Sequence, residues 1–288
     1  MIRSMTGFGK AVGEYQDKKI NVEVRSLNSK QLDLNTRISG HYRENEHSYR
    51  SLVGKAVIRG KSELSIYTEN NAELPKATIN VDLAKNYYDD LKSFADSINE
   101  NKTSLLSQVL RMPDVMKTSH PEIETGEWDT VSKTIENAIV KFNEFRIQEG
   151  EKLGNDFKMR LQTMLNLLSE IEGLDEDRIN KVKVKLTANL DSLKIEVDQN
   201  RFEQELIYYI EKYDITEEKV RLRAHCEYFI ETMNEKDAQG KKLGFIGQEM
   251  GREINTIGSK ANHSEIQKLV VQMKNELEKI KEQVLNVL

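Results

Sequence analysis

Proline placement constrains the fold of this chain more than any other feature of its sequence. The 288 residues contain three prolines, Pro75, Pro113 and Pro121, and none in the 167 residues that follow. Because proline breaks helix interiors, this proline-free stretch favours uninterrupted helices. Charged residues make up 32% of the chain and hydrophobic residues 38%, which is typical of long helices with one side in water.

The first 70 residues combine strand patterns with one helix. Apolar and polar residues alternate over residues 20–25 and again over 32–35, and alternation with a period of two predicts half-buried strands. Residues 42–60 have helical periodicity, which we expect to end at Gly60. Residues 61–69 alternate again, so this part predicts a small α/β unit.

Helical patterns dominate the rest of the chain. From about residue 129 the periodicity is compatible with one long helix, although a two-helix bundle fits equally well, and four more helical segments follow Asp198. We therefore predict an α+β protein with a small N-terminal α/β region, a long, mostly helical body and a C-terminal helical bundle. The predicted divisions are residues 1–125, 126–198 and 199–288.

The single cysteine, Cys226, excludes an internal disulfide and favours a reducing compartment. We interpret it as a small core residue rather than a nucleophile. No apolar run is long enough to span a bilayer, and the first ten residues lack the apolar core of a secretory signal. We expect a cytoplasmic protein with no membrane partner.

Charge is divided unevenly along the chain. The net charge is −5, yet residues 1–61 hold 12 basic and six acidic residues. A basic region on an acidic body favours an anionic partner such as a nucleic acid. A basic surface that is merely solvated is the alternative.

Four glycines lie inside one helical stretch, "KKLGFIGQEMGREINTIGSK". Each interior glycine costs about 1 kcal/mol relative to alanine. At about 100° per residue they form one strip along the helix, which consists of Gly244, Gly247, Gly251 and Gly258. Such a strip lets another backbone approach closely. The pattern alone favours a packed helix over a ligand such as a sugar-phosphate chain.

A second arc of this helix mixes acids and bases. Glu249 and Glu253 are one turn apart, so their carboxylates can converge on a divalent cation. Arg252 and Lys260 can hold phosphate oxygens. Metal-assisted phosphodiester cleavage uses such a set. The same spacing is common on solvated helix faces, so the residues alone leave both interpretations open.

Other chemical signatures are weak. The stretch "MTGFGK" lacks the spacing of a phosphate-binding loop, and the five histidines show no zinc-type spacing. His225 lies one turn from Arg221 and can serve as a base or a metal ligand, although a packed or surface histidine is the commoner case.

Several longer motifs occur at the two ends of the chain. The N-terminal ones are "MIRSMTGFG", "EVRSLNSKQLDLNTRI" and "IRGKSELSI"; the C-terminal ones are "RFEQELIYYIEKYDITEEKVRLRAH" and "GKKLGFIGQEMGREINTIGSKANHSEIQKLVVQMKNELEKIKEQV". They resemble the motifs of the YicC/YloC family of bacterial proteins. The resemblance covers nearly the full length and is weakest over residues 70–198.

The resemblance implies a metal-dependent endoribonuclease that assembles as a homo-oligomeric ring, a hexamer, with RNA and not DNA as its partner. It gives weight to the pattern "QE-RE-NT-SK", which includes Thr256, and to Arg221 and His225. On this basis we assign catalytic roles to Glu249, Arg252, Glu253 and Lys260. A divalent metal, Mn²⁺ or Mg²⁺, is assigned to Glu249, Glu253 and Glu205. RNA contacts are assigned to Arg3, Arg25, Asn28, Arg59, Lys61, Asn255 and Ser259.

The chain departs from the family pattern at three positions, and at one of them, Gly251, the family often has Asn. The family usually has an acid where Gly244 stands and another where His263 stands. These departures favour a rival hypothesis, an RNA-binding or adaptor ring without catalysis. A second rival is a structural assembly protein with no affinity for RNA.

Overall fold

The computed structural model of the chain describes residues 2–70, 77–99, 104–118, 123–193, 199–235 and 239–288. Its strands are β1 Gly7–Tyr15, β2 Lys18–Leu27, β3 Leu32–Ile38, β4 Gly60–Asn70, β5 Ala77–Ile79 and β6 Met116–Thr118. Its α-helices are α1 Glu46–Val57, α2 Val81–Ser97, α3 Leu105–Val109, α4 Thr125–Leu193, α5 Gln199–Tyr213, α6 Thr216–Met233, α7 Gly240–Lys260 and α8 Ser264–Val284. The predicted α+β class is confirmed.

The main sheet has the strand order β1-β2-β4-β3. Strand β2 is antiparallel to both of its neighbours, β1 and β4, whereas β3 runs parallel to β4 and is connected to it through α1. The connection between β2 and β3 is therefore not a hairpin, because β4 lies between the two strands. This connection brings Asn28, Ser29 and Lys30 to the end of the sheet that adjoins α7.

Helix α1 ends earlier than the sequence suggested. Its last residue is Val57, and Ile58 follows with a left-handed φ of 70°. Gly60 has a φ of 123° and opens β4. The expected stop at Gly60 is therefore wrong by three residues, because the left-handed turn that reverses the chain begins before the glycine.

A single helix of 69 residues, α4, is shared by two hydrophobic cores. At 1.5 Å per residue it is about 100 Å long. Val131, Ile135 and Phe142 pack against the main sheet, and Phe157 and Ile171 pack with α6, α7 and α8. The long-helix interpretation is confirmed over the two-helix bundle. Since α4 belongs to both cores, the predicted domain divisions stay a prediction.

Small residues on β1 allow α4 to lie directly on the strand. A Cβ added to Gly9 would collide with the carbonyl oxygen of Ala138, and one added to Gly7 would collide with the ring of Phe142. The glycines of "MTGFGK" are therefore packing residues. This explains why they alternate without the spacing of a phosphate-binding loop.

The first residues of the chain are held between α4 and the last residues. Ile2 belongs to the C-terminal core, Ser4 N–H donates to the Arg146 carbonyl, and Met5 N–H donates to the Asn286 carbonyl. Leu288 N–H donates in turn to the Arg3 carbonyl. This clasp, residues 2–5 with residues 286–288, ties the sheet to the helical bundle.

Residues 77–118 form a small satellite unit from β5, β6, α2 and α3. Strand β6 pairs antiparallel with β5. Elsewhere, Cys226 is fully buried in the C-terminal core, and this burial raises the pKa of its thiol to about 12, as expected for a core residue. No helix in the described ranges is long and apolar enough to cross a membrane.

The contact between β1 and α4 gives the first testable prediction. We expect Gly9→Ala to lower the free energy of unfolding by about 1–3 kcal/mol, because the methyl group forces strand and helix apart. Gly40→Ala is the matched control, since no atom lies within 4 Å of its Cβ position. Urea unfolding measures both, and equal stabilities for the two variants would contradict the packing role of Gly9.

A second prediction concerns the start of α8. His263 is its N-cap, and the Nδ1 atom accepts a hydrogen bond from Ile266 N–H at 3.4 Å. Aspartate is a stronger N-cap than the residues outside the Ser, Thr, Asp and Asn group. We expect His263→Asp to raise the thermal unfolding midpoint and His263→Ala to lower it. A midpoint that falls in the Asp variant would show that His263 does more than cap α8.

Candidate active site

Helix α7 presents three faces, as the helical wheel predicts. Leu243, Met250 and Ile254 are buried in the C-terminal core. On the glycine face, a Cβ at Gly251 would lie 3.3 Å from Leu277 of α8, and one at Gly258 would lie 3.0 Å from Val270. This half of the glycine strip therefore permits close packing of α7 on α8, in agreement with the packed-helix interpretation.

The third face carries Glu249 and Glu253, which we call the acidic pair. Glu253 is only 8% exposed, and its carboxylate takes part in none of the ion pairs or hydrogen bonds found among the described residues. Glu249 is more exposed and pairs with Arg252 at 2.7 Å. Because two carboxylates lie one turn apart and that of Glu253 has no cation partner among the described residues, the acidic pair is well suited to bind a positive charge.

The two cations assigned to catalysis both have carboxylate partners. The Arg252–Glu249 pair is exposed, and such pairs contribute about 0–1 kcal/mol, so Arg252 can exchange its partner readily. Lys260 donates to Oε1 of buried Glu218 at 2.7 Å, and Oε2 of Glu218 has no hydrogen-bond partner. Lys260 thus offsets a buried charge on α6. Its assigned phosphate contact stays a prediction.

Helix α6 runs antiparallel beside α7. Lys260 pairs with Glu218, and Lys242 pairs with Glu235 just beyond the other end of α6. Counting seven residues inward from the first pair brings Glu253 level with His225. Seven residues are about two helical turns, so His225 shares the α7-facing side of α6 with Glu218. Arg221, by contrast, is exposed and pairs with Glu217 on its own helix.

The metal assignment can be tested against these positions. No three Asp, Glu, His or Cys side chains in the described ranges gather closely enough to hold an ion. Glu205 is exposed on α5, which packs against α4, so it does not join the acidic pair in such a group. Mg²⁺ is often bound by one or two carboxylates together with substrate phosphates. The residues therefore fit a cation that binds together with its substrate.

The polar residues assigned to RNA on α7 lie towards solvent. Asn255 and Ser259 are exposed. The hydroxyls of Thr256 and Ser259 donate to carbonyl groups of their own helix, those of Arg252 and Thr256 respectively. Asn255 makes no such bond among the described residues, so its amide is the group most available to a ligand.

A cleft of about 740 Å³ lies where the start of α7 meets the end of the main sheet. Its walls come from the connection between β2 and β3, the residue before β4, the first turns of α7 and the last turns of α8. We call it the junction cleft. Asn28 and Arg59, two of the residues assigned to RNA, line it, so the structure brings N-terminal and C-terminal motifs together here.

The other half of the glycine strip faces this cleft. Gly244 and Gly247 both line it, and their nearest neighbours, Val284 and Lys281, lie 3.8 Å from the Cβ positions. This is ordinary contact distance, so packing alone does not require glycine here. The strip therefore has two parts, one in tight contact with α8 and one in ordinary contact with α8 at the edge of the cleft.

The remaining assigned cations are more scattered. Arg3 lies close enough to Arg146 that its charge, with that of Arg59, helps to lower the pKa of the Arg146 guanidinium. Lys61 is exposed at the start of β4. Arg25 lies on the open face of the sheet, where it pairs with Glu23 at 2.7 Å. The RNA assignments thus divide among the junction cleft, the sheet face and α7.

The structure shows where the two residues lie that replace acids of the family pattern. Gly244 lines the junction cleft, and His263 caps α8. An acid at position 263 suits an N-cap. Position 244 lies nine residues before Glu253, so it points to the opposite side of α7. Neither departure removes a group from the acidic pair.

Sequence reasoning missed three lysines of the junction cleft, which are Lys30, Lys241 and Lys281. They come from three separate elements, so no local pattern connects them. It also missed Arg146, which is fully buried on α4. The one signal in the sequence was the glycine strip, whose first half marks the wall of the cleft.

Comparison with known proteins covers the same two regions. Residues 2–155 match the family described as endoribonuclease YicC-like, N-terminal region, and residues 171–288 match endoribonuclease YicC-like, C-terminal. A probable endoribonuclease YicC of Clostridioides difficile is 36% identical over 298 residues and aligned along the full length of both chains. A protein of the same name from Haemophilus influenzae is 27% identical over 291 residues, again at full length. The chain therefore belongs to the YicC-like endoribonuclease family.

Proposed function

We propose that this protein is a metal-dependent endoribonuclease whose cleavage centre is the acidic pair on α7. Its relatives are named probable endoribonucleases and align with the whole chain. One observation carries the assignment of the site: Glu253, a residue only 8% exposed, has no ion-pair partner in the described part of the chain and lies one turn from Glu249. RNA is the substrate class that these relatives support.

The chemistry follows from the residues around the acidic pair. Glu249 and Glu253 would hold Mn²⁺ or Mg²⁺, and a metal ion bound there would supply activation of water and neutralisation of charge at the phosphodiester. The Arg252 guanidinium, which pairs with Glu249 only in an exposed contact, would be free to contact the phosphate. His225, level with Glu253 on the facing helix, gives or takes a proton. Lys260 keeps Glu218 neutralised.

The non-catalytic ring is the weaker alternative. It rested on the absence of acids at positions 244 and 263, but His263 is a helix cap and Gly244 points away from the acidic pair. No feature of the described residues favours a binding protein without catalysis. The cytoplasmic location remains a prediction from the sequence.

Self-association is part of the proposal. Val81, Phe94 and Leu106 of the satellite unit are 56%, 62% and 63% exposed. Several large apolar side chains exposed on one small unit mark an interaction surface. A second copy of the chain is the partner that the homo-oligomer hypothesis requires, and a closed hexameric ring is the form we propose.

We predict that Glu253→Gln abolishes metal-dependent cleavage of RNA. A labelled RNA with loops and stems is incubated with Mn²⁺, Mg²⁺ or EDTA, and the products are separated on a gel. Wild-type protein should give internal cuts only with metal. Glu253→Gln and Glu249→Gln should each slow cleavage by about 100-fold or more, because a metal-holding carboxylate is lost.

Glu265→Gln is the matched control, because Glu265 forms a similar exposed pair with Lys268 three residues on. A binding readout adds a test that does not need activity. Mn²⁺ should raise the thermal midpoint of wild-type protein but not that of Glu253→Gln. The variant alone should be at least as stable as wild type, since it removes one of two like charges that lie one turn apart on α7. Full cleavage activity in Glu253→Gln would contradict the assignment of the acidic pair as the cleavage centre.

For the assembly, we predict a mass near six times the 33.3 kDa chain in light scattering coupled to gel filtration. The double variant Phe94→Asp and Leu106→Asp should reduce that mass, because it places charges in an apolar contact. Lys85→Asp on the same unit is the control. A wild-type mass of one chain would contradict the oligomer, and an intact assembly in the double variant would exclude this surface.

A further inference from the structure

The junction cleft has an unusual charge composition. Four cations line it, namely Lys30, Arg59, Lys241 and Lys281, and its described lining contains no Asp or Glu. The chain as a whole has more acids than bases, 48 against 43, so a cleft without acids is not a sample of the average surface. The described side chains that line the cleft therefore carry a net positive charge.

These four cations form no ion pair with a carboxylate among the described residues. Arg25, Arg252 and Lys260 each pair with a carboxylate. None of the ion pairs among the described residues involves a cation of the junction cleft. The Arg59 guanidinium donates only to the carbonyl of Val287, at 2.7 Å, and its Nε is buried without a partner.

A further positive charge is buried next to this cleft. Arg146 is 1% exposed, and its guanidinium donates to the carbonyls of Ser4 and Ala56 rather than to a carboxylate. Burial, together with the nearby charges of Arg3 and Arg59, lowers the pKa of Arg146 to about 10. Positive charges that repel one another inside the protein are stabilised when an anion binds beside them.

Two geometric details bear on how an anion would be held in the cleft. The N–H groups of Gln239 and Gly240 at the start of α7 already donate to the main-chain oxygen of Leu288, so these two are not available to the anion. Nor do the cations converge on one point. Lys241 lies in the first turn of α7, and Nζ of Lys281 is 3.4 Å from the Cβ position of Gly251, ten residues or about 15 Å along the helix.

We propose that the junction cleft binds the phosphodiester backbone of RNA over more than one phosphate, with Lys30, Arg59, Lys241 and Lys281 as its contacts. This inference rests on the proposed function and extends it, because it adds a binding site that lies apart from the acidic pair. Gly244, which is partly exposed, leaves the wall low enough for a sugar-phosphate chain to approach the α7 backbone.

The position of the cleft also sets the path of the RNA. Gly244 and Glu253 point to opposite sides of α7, so a strand in the cleft reaches the acidic pair by crossing the solvent face of the helix. That face holds Phe245, Gln248, Arg252 and Asn255. No acid lies on it between the cleft and Glu249. The assigned RNA contacts of α7 thus lie along the route.

The test separates binding from cleavage. A fluorescein-labelled, 2′-O-methyl RNA of mixed sequence is titrated with full-length protein in EDTA, and anisotropy is followed over a series of NaCl concentrations. We compare wild type with the double variant Lys241→Gln and Lys281→Gln. The control is Lys242→Gln with Lys279→Gln, neighbouring lysines that pair with Glu235 and Glu276. Thermal midpoints establish that all three proteins are folded.

We expect the cleft variant to raise the dissociation constant roughly tenfold and to flatten the log–log salt dependence by about 1.4, or 0.7 for each lost contact with a single strand. The control pair should match wild type. Equal dissociation constants for the two double variants would contradict RNA binding in the junction cleft, whether both match wild type or both are raised. Cleavage by wild type would still stand in that case. Salt-sensitive binding through the cleft without any cleavage would instead contradict the proposed nuclease activity and support the proposed binding site.

Discussion

The direct contact between α4 and the backbone of β1 is the constraint on which the rest of this structure depends. Glycines at the inward positions of β1 let the helix lie on the strand without intervening side chains. The same helix then continues into the C-terminal core. Because one rigid element belongs to both cores, the sheet end that holds Asn28 and Arg59 has a fixed position relative to α7. The junction cleft exists only because of that fixed position.

The clasp of residues 2–5 with residues 286–288 strengthens this connection but involves a buried, unpaired positive charge. Arg146 donates to the Ser4 carbonyl from inside the protein, where no carboxylate neutralises it. A buried guanidinium with Arg3 and Arg59 nearby is unfavourable for an isolated chain. In the complex proposed above, a polyanion at the same junction would lower this cost, and the structural tether and the binding surface would then share one set of charges.

The different faces of helix α7 contact different parts of the protein. Its glycine face packs on α8 and borders the cleft, its acidic pair faces the groove beside α6, and its solvent face joins the two. The cations at the cleft lack carboxylate partners, whereas Lys260 beside α6 has one. This division is consistent with backbone binding in one place and chemistry in another, about 14 Å further along the helix axis for a strand that passes from Gly244 to Glu253.

The sequence alone determined much of this protein. The absence of proline after Pro121 and the periodicity of the apolar residues predicted the long helix and the four that follow it, because these signals are local. The wheel placed Glu249 and Glu253 together for the same reason, and the terminal motifs indicated the family. What only the tertiary structure decided is everything that joins distant segments. It showed that Lys260 neutralises Glu218, that Glu205 lies apart from the acidic pair, that His263 is a cap, and that Lys30, Lys241 and Lys281 meet Arg59 in one cleft. No local pattern encodes such meetings, since they depend on a helix of 69 residues that holds both ends of the chain in register.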